Sequence, residues 1–232
     1  MTSPSTLTRA ERGAAQAQTA GWAPGVNRWL MHKSAKPVLF LVACGPAAWL
    51  LWAALADQLG ANPAEALIRS LGDWSIRFLV IVLLVTPLRT LAHWPALARM
   101  RRMVGLFVFF YASLHLVAYA WFDMGFELAA VVDDVVKRPF ILVGMVAWGL
   151  LLCLAATSFN RVIRAMGAHR WRWLHRSVYL IAGLAVLHFF WMRSGKNDYA
   201  EVAIYAVMFA VLLGWRAWRW AAARSGRAAF NA

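Results

Sequence analysis

Residues 103–122 read MVGLFVFFYASLHLVAYAWF, twenty residues without an Asp, Glu, Lys or Arg, held between Arg101-Arg102 and Asp123. A run of roughly 17–25 apolar residues is what a helix needs to cross a bilayer. The segment is therefore predicted to be a membrane-spanning helix. It contains one side chain that can take up charge near neutral pH, His115, and such a group at membrane depth is costly enough to call for a reason.

Comparable stretches lie at 37–56, 74–92, 139–158, 175–192 and 199–217. The second is interrupted by Arg77 and Pro87, with Arg77 near enough to the span's end to snorkel. Of the 232 residues, 62% are hydrophobic and 15% charged, the balance of an integral membrane chain. The expected architecture is all-α: a six-transmembrane-helix domain over 37–220. It is flanked by a largely disordered N-terminal tail, 1–36, and a C-terminal tail, 221–232. Within the first tail, Met1 to Gln18 has no apolar period, whereas Gly21 to Leu30, with Trp22, Arg28 and Trp29, suits the membrane interface.

A net charge of +14 would suggest nucleic acid for a soluble protein, but here the charges alternate from loop to loop. Arginines and lysines crowd the N-terminal tail, the loop around Arg99, the loop from Arg161 to Arg172, and the segment after Arg216. The intervening loops carry Asp57, Glu65 and Asp73, then Asp123, Glu127, Asp133 and Asp134. By the positive-inside rule both termini are cytoplasmic. The excess charge then reports topology and contact with the lipid bilayer, and no nucleic-acid partner is expected.

Residues 1–36 lack the continuous apolar core of a cleavable signal peptide, so the first span is expected to act as the insertion signal. Cys44 and Cys153 have neither metal-ligand spacing nor a neighbouring cysteine and read as packing residues. There is no phosphate-binding glycine loop, nucleophile elbow or HExxH motif, which removes the visible apparatus of kinases, serine hydrolases and zinc proteases.

In the alternating topology the third and fifth spans enter from the same side. His115 lies 12 residues beyond Met103, and His188 lies 13 beyond His175. At about 1.5 Å per residue, both are roughly 18–20 Å from that side and nearer the outer face. Imidazole is a common ligand for haem iron. Two of them at one level on two helices form a candidate axial pair, leaving no open position on the iron. Ala112, Ala118 and Ala185 are small neighbours that would admit a ring, or simply let helices touch.

The stretch 101–106 with Tyr111 and His115, then Lys137-Arg138-Pro139-Phe140, then 170–176 and His188-Phe189-Phe190-Trp191, resembles the MsrQ family. These are haem-binding membrane subunits of periplasmic methionine sulfoxide reductase systems. Leu71 to Arg89, with Thr86-Pro87-Leu88, matches as well, and the likeness covers about residues 40–218. The wider relatives are the ferric reductase-like and NADPH oxidase transmembrane domains. The resemblance implies a multi-pass protein of the bacterial inner membrane carrying haem b and associated with FMN. It would take electrons from the quinone pool or a cytoplasmic flavin reductase. It would pass them, in a heterodimer, to a periplasmic molybdenum-containing subunit of the MsrP type that repairs oxidised methionine in proteins.

The wider relatives hold two haems with two histidines on each of the third and fifth helices. Here the third helix has Arg101 and Arg102 where a second histidine would stand, and an always-protonated guanidinium is no iron ligand. One haem is therefore expected, on His115 and His188. His175 is left for a flavin or quinone, with Arg101, Arg102 and Arg172 either as contacts for a phosphate or anionic ring or as topology anchors. His32, His93 and His169 read as loop histidines, and the tryptophans at the span ends as an aromatic belt. Other classes compatible with these residues are a stand-alone ferric reductase-like cytochrome and a non-redox transporter or assembly subunit.

Overall fold

The computed structural model describes residues 23–195 and 197–230, and the side chains of 25–195 and 197–225. Every regular element among them is helical: α1 (Ala23–Met31), α2 (Ala35–Leu55), α3 (Pro63–Leu91), a 3-10 turn (Pro95–Arg99), α4 (Arg101–Phe122), α5 (Leu128–Lys137), α6 (Pro139–Ala156), α7 (Asn160–Met166), α8 (Ala168–His175), α9 (Val178–Ser194) and α10 (Ala200–Phe230). Six stretches are long and apolar enough to cross a membrane: α2, α3, α4, α6, α8 with α9, and α10 as far as Ser225. The expected disorder of Met1 to Gln18 lies outside the described residues. Of the stretch expected at the interface, Gly21 and Trp22 lie outside the described residues and Ala23–Met31 forms α1, whose Leu30 packs with Ala96 and Met100. The last helix continues through the predicted C-terminal tail to Phe230.

Three boundaries differ from the sequence expectation. The second spanning helix begins at Pro63, within the predicted loop 57–73, because that segment carries a complete start signal. Asn62 Oδ1 accepts from the Glu65 backbone N–H at 3.2 Å and Pro63 occupies the first turn. Glu65, Arg69 and Asp73 are four residues apart, so they share one face, with Glu65 and Arg69 paired. The second difference is α5, an amphipathic helix in the predicted third loop. Its apolar Leu128, Val132 and Val136 lie along one exposed face. The third is α8, which brings His175 to the end of a short helix separated from α9 by a break at Arg176 and Ser177.

The core lies along α3 and α4, where Phe78 stacks on Tyr111 at 5.2 Å and on Phe107 at 5.5 Å. Many large apolar side chains point outward from the bundle, including Leu41, Leu51, Val207 and Val211. Such a surface is at home in hydrocarbon, where no water competes for it. Backbone polarity is what must be settled internally there.

Side chains take part in this at two places. Pro87 has no N–H for the Leu83 carbonyl one turn earlier. The Arg216 guanidinium, reaching from α10, donates to that carbonyl and to Leu212 O. Beside Pro46, the fully buried Tyr111 hydroxyl enters the ladder of α2, donating to Ala43 O at 2.8 Å and accepting from Ala47 N–H at 3.1 Å. A side chain inserted in this way bends a helix. It also fastens α2 to α4.

Candidate functional site

A cavity of about 480 Å³ opens among α3, α4, α6 and α9, in the size range of cofactor sites. His115 projects into it from α4 and His188 from α9. Each imidazole is anchored by the spanning helix packed against its own, since the most extensive helix contacts are α3 with α4 and α6 with α9. His115 Nδ1 is 2.8 Å from Ile68 O on α3, and His188 Nδ1 is 2.6 Å from Phe140 O on α6. A carbonyl oxygen only accepts, so Nδ1 carries the proton in both rings and Nε2 keeps its lone pair. That tautomer is the one a metal ligand needs, and orientation by a carbonyl is how ligating histidines are commonly held.

The same device occurs twice. Gly72 follows Ile68 by four residues, and Gly144 follows Phe140 by four. In a helix the N–H at i+4 bonds the carbonyl at i, so each glycine lies beside the carbonyl that the imidazole also uses. A Cβ at Gly72 would lie 3.2 Å from His115 Nδ1, and one at Gly144 would lie 2.9 Å from His188 Nδ1 and Cε1. The missing side chains are what let the rings reach the backbone. Neither glycine stands out in the sequence, because a glycine within a span is ordinary until its facing partner is known.

The fit to a haem iron rests on spacing. The two ring centroids are 6.2 Å apart, with planes crossed at 86°. Metal–imidazole bonds of roughly 2 Å, plus about 1 Å from each nitrogen to its ring centre, add up to about 6 Å across one ion. The remaining ligands must come from the cofactor, since no group of three or more His, Cys, Asp or Glu is placed to hold a metal among the described residues. Ala112 and Ala185 line the cavity, while Ala118 is buried in the core cluster.

Charged groups ring one end of the cavity. Tyr119, one turn beyond His115, donates to Asp134 Oδ2 at 2.5 Å, and Arg138 Nε donates to Asp134 Oδ1 at 2.5 Å, so α4, α5 and the start of α6 are tied together. Asp134 is only 8% exposed. Asp123, just past α4, has its carboxyl pushed up by loss of hydration, which the Arg138 charge partly opposes.

His175 is not part of this cavity. Its Nε2 is 3.2 Å from Thr157 Oγ1, Trp171 stacks on it at 4.0 Å, and the Trp171 indole N–H donates to Thr157 O at 3.0 Å. The Thr157 hydroxyl spends its hydrogen on Cys153 O at 2.7 Å, so it accepts from His175 Nε2–H. The three candidate arginines do not converge on His175. Arg102 donates to Asn160 Oδ1 at 2.5 Å, and Arg101 and Arg172 are exposed. Of the other histidines, His32 bonds locally to Ser34 Oγ at 2.7 Å, and His93 and His169 are in turn and surface positions.

A six-helix bundle with one imidazole from each of two spans facing across a cavity defines a ferric reductase-like transmembrane protein. Residues 71–186 match the family described as ferric reductase like transmembrane component. A protein of Polaromonas naphthalenivorans (strain CJ2), named protein-methionine-sulfoxide reductase heme-binding subunit MsrQ, is 61% identical over 88% of this chain and 94% of its own length. Proteins of the same name from Herminiimonas arsenicoxydans and Bordetella pertussis are 49% and 48% identical, each over 80% of this chain and over 85% and 89% of their own lengths. The chain belongs to the MsrQ family.

Proposed function

We propose that this chain is the haem b electron-transfer subunit of a methionine sulfoxide reductase, with His115 and His188 as the two axial ligands of one haem. The observation that carries this reading is the paired imidazoles, each with Nδ1 committed to a backbone carbonyl and Nε2 free at iron-spanning separation. When bound, the haem supplies a one-electron ferric–ferrous couple. The chain's own part is to fix both ring orientations, exclude water with apolar walls and keep the iron six-coordinate, which suits electron transfer over oxygen chemistry.

Charge asymmetry supports an orientation with both termini cytoplasmic and the acid-bearing end in the periplasm. Electrons then leave toward a periplasmic molybdenum-containing partner of the MsrP type, where the sulfoxide is reduced. The donor is the quinone pool or a cytoplasmic flavin reductase, at a bacterial inner membrane. FMN is implied by the family likeness, with His175, Arg101, Arg102 and Arg172 as its candidate contacts. Those arginines do not form one phosphate site: Arg102 donates to Asn160, and Arg101 and Arg172 are exposed.

Purified protein should show a Soret shift and a sharp alpha band on dithionite reduction, at one haem per chain. Protein that stays free of haem after supplementation overturns the reading and favours a non-redox membrane subunit.

A further inference from the structure

Asp73 borders two spaces at once. It lines the cavity that holds His115 and His188, and it lines a groove of about 410 Å³ between α2 and α3. The groove is formed by Gly45, Pro46 and Trp49 on α2 and by Ser70, Trp74 and Arg77 on α3. It lies where α2 carries Pro46 and the inserted Tyr111 hydroxyl, so its shape is built into the packing. Trp49 is 57% exposed on a helix whose outer face is apolar, which opens the groove toward lipid.

A carboxylate within a spanning segment is costly and by default marks a functional site. Among the described residues the Asp73 carboxylate has no hydrogen bond and no ion pair within 4 Å. The neighbouring cations are used elsewhere: Arg69 pairs with Glu65, Arg193 with Asp198 and Glu201, and Arg77 stacks over Trp74 at 4.8 Å. The preceding residue, Gly72, abuts the His115 ring. An acceptor for protons thus stands one residue from the seat of an electron-accepting site.

Resting on the reading of the cavity as a haem site, we propose that the α2–α3 groove binds a lipid-soluble quinol and that Asp73 takes its proton. Two indoles offer walls for a flat ring, Arg77 offers a donor to a ring oxygen, and Asp73 accepts from a ring hydroxyl. Access from lipid excludes a phosphate-bearing flavin. In each round one quinol O–H bond would break, with its proton going to Asp73; a ferric haem held by His115 and His188 would supply the one-electron acceptor, being reduced to the ferrous state. The proton then leaves to water at the acid-bearing end and the electron to the next acceptor. After two rounds, two protons and two electrons have left and quinone departs.

The test uses full-length, haem-loaded protein in nanodiscs with decylubiquinol as donor, plus an azidoquinone photolabel mapped by peptide mass spectrometry. The label should fall on peptides of α2 and α3 around Trp49 and Trp74, and Trp49→Ala should cut labelling several-fold. Asp73→Asn, with its rate taken per dithionite-reducible haem and per mole of bound label, should slow haem reduction by decylubiquinol at least ten-fold, with Asp73→Glu recovering most of the rate. Labelling around Arg101 or Arg172, or an Asp73→Asn rate equal to wild type, overturns the proposal. So does wild type that dithionite reduces but decylubiquinol does not, an outcome that leaves the haem assignment standing. Failure to bind haem at all would instead remove the reading on which it rests.

Discussion

His188 and His175 lie on the same transmembrane stretch, 13 residues apart, yet their surroundings prepare them for opposite roles. His188 gives its Nδ1 hydrogen to Phe140 O, and its Nε2 faces a cavity opposite a second imidazole. His175 has its Nε2 occupied by Thr157 and one ring face covered by Trp171. On the proposed reading, whether a histidine at membrane depth can serve as a ligand is decided by which of its nitrogens its neighbours take up. On the proposed one-haem reading, His175 is withheld from iron by a local hydrogen-bond network that has taken up its Nε2, with Arg101 and Arg102 and no second histidine at the start of α4.

The largest effect that would break this contrast is loss of either cavity histidine. His115→Ala and His188→Ala should each abolish the low-spin reduced spectrum, since a single imidazole leaves the iron five-coordinate or unbound. Retention of a six-coordinate low-spin signal in either variant, read by optical and EPR spectroscopy, would show that another side chain completes the site.

The glycines sharpen the contrast next. Gly144→Ala brings a methyl within 2.9 Å of the His188 ring, closer than real contacts allow, whereas Gly72→Ala meets His115 at 3.2 Å, where a shift of a few tenths of an ångström suffices. Gly144→Ala should therefore lower haem occupancy several-fold and Gly72→Ala less. Crossed axial planes give a strongly anisotropic low-spin EPR signal, and the Gly72→Ala signal should move toward a less anisotropic one. Equal haem content and unchanged EPR in both variants would mean the rings do not rely on these backbone approaches.

The six spans and the meeting of two histidines were legible in the chain because membrane solvation imposes simple rules: apolar runs of spanning length, and an ionisable side chain at a similar position along two of them. The start of α3 was missed because Glu65, Arg69 and Asp73 make its first turns look like a polar loop. Their four-residue spacing, with Asn62-Pro63 ahead of them, was the available signal. The glycine seats and the Arg216 contact were not legible, since each depends on which carbonyl of another helix a side chain meets.

That Arg216 contact supports a smaller prediction. Arg216→Met leaves the Leu83 carbonyl, opposite Pro87, without a donor inside the bundle, a loss of about 1–3 kcal/mol for an unsatisfied buried group. Pro87→Ala supplies the missing N–H from within α3. In a double-mutant cycle followed by thermal melting in detergent, Pro87→Ala should recover most of the stability lost in Arg216→Met. Simple additivity would show that the arginine serves some purpose other than completing the helix.

The smallest effect on the haem is expected at His175, and it is the one that decides whether the two histidine environments are as distinct as their hydrogen bonds suggest. His175→Ala removes a ring that lies outside the cavity and whose Nε2 is already used by Thr157. The haem ratio, the alpha band and the EPR signal should all match wild type. Because Trp171 packs on His175 and also bonds Thr157 O, the variant should lose some thermal stability even while the spectrum is unchanged. A halved haem content would mean that His175 can leave Thr157 and bind iron, and the two sites would then differ in occupancy and not in kind.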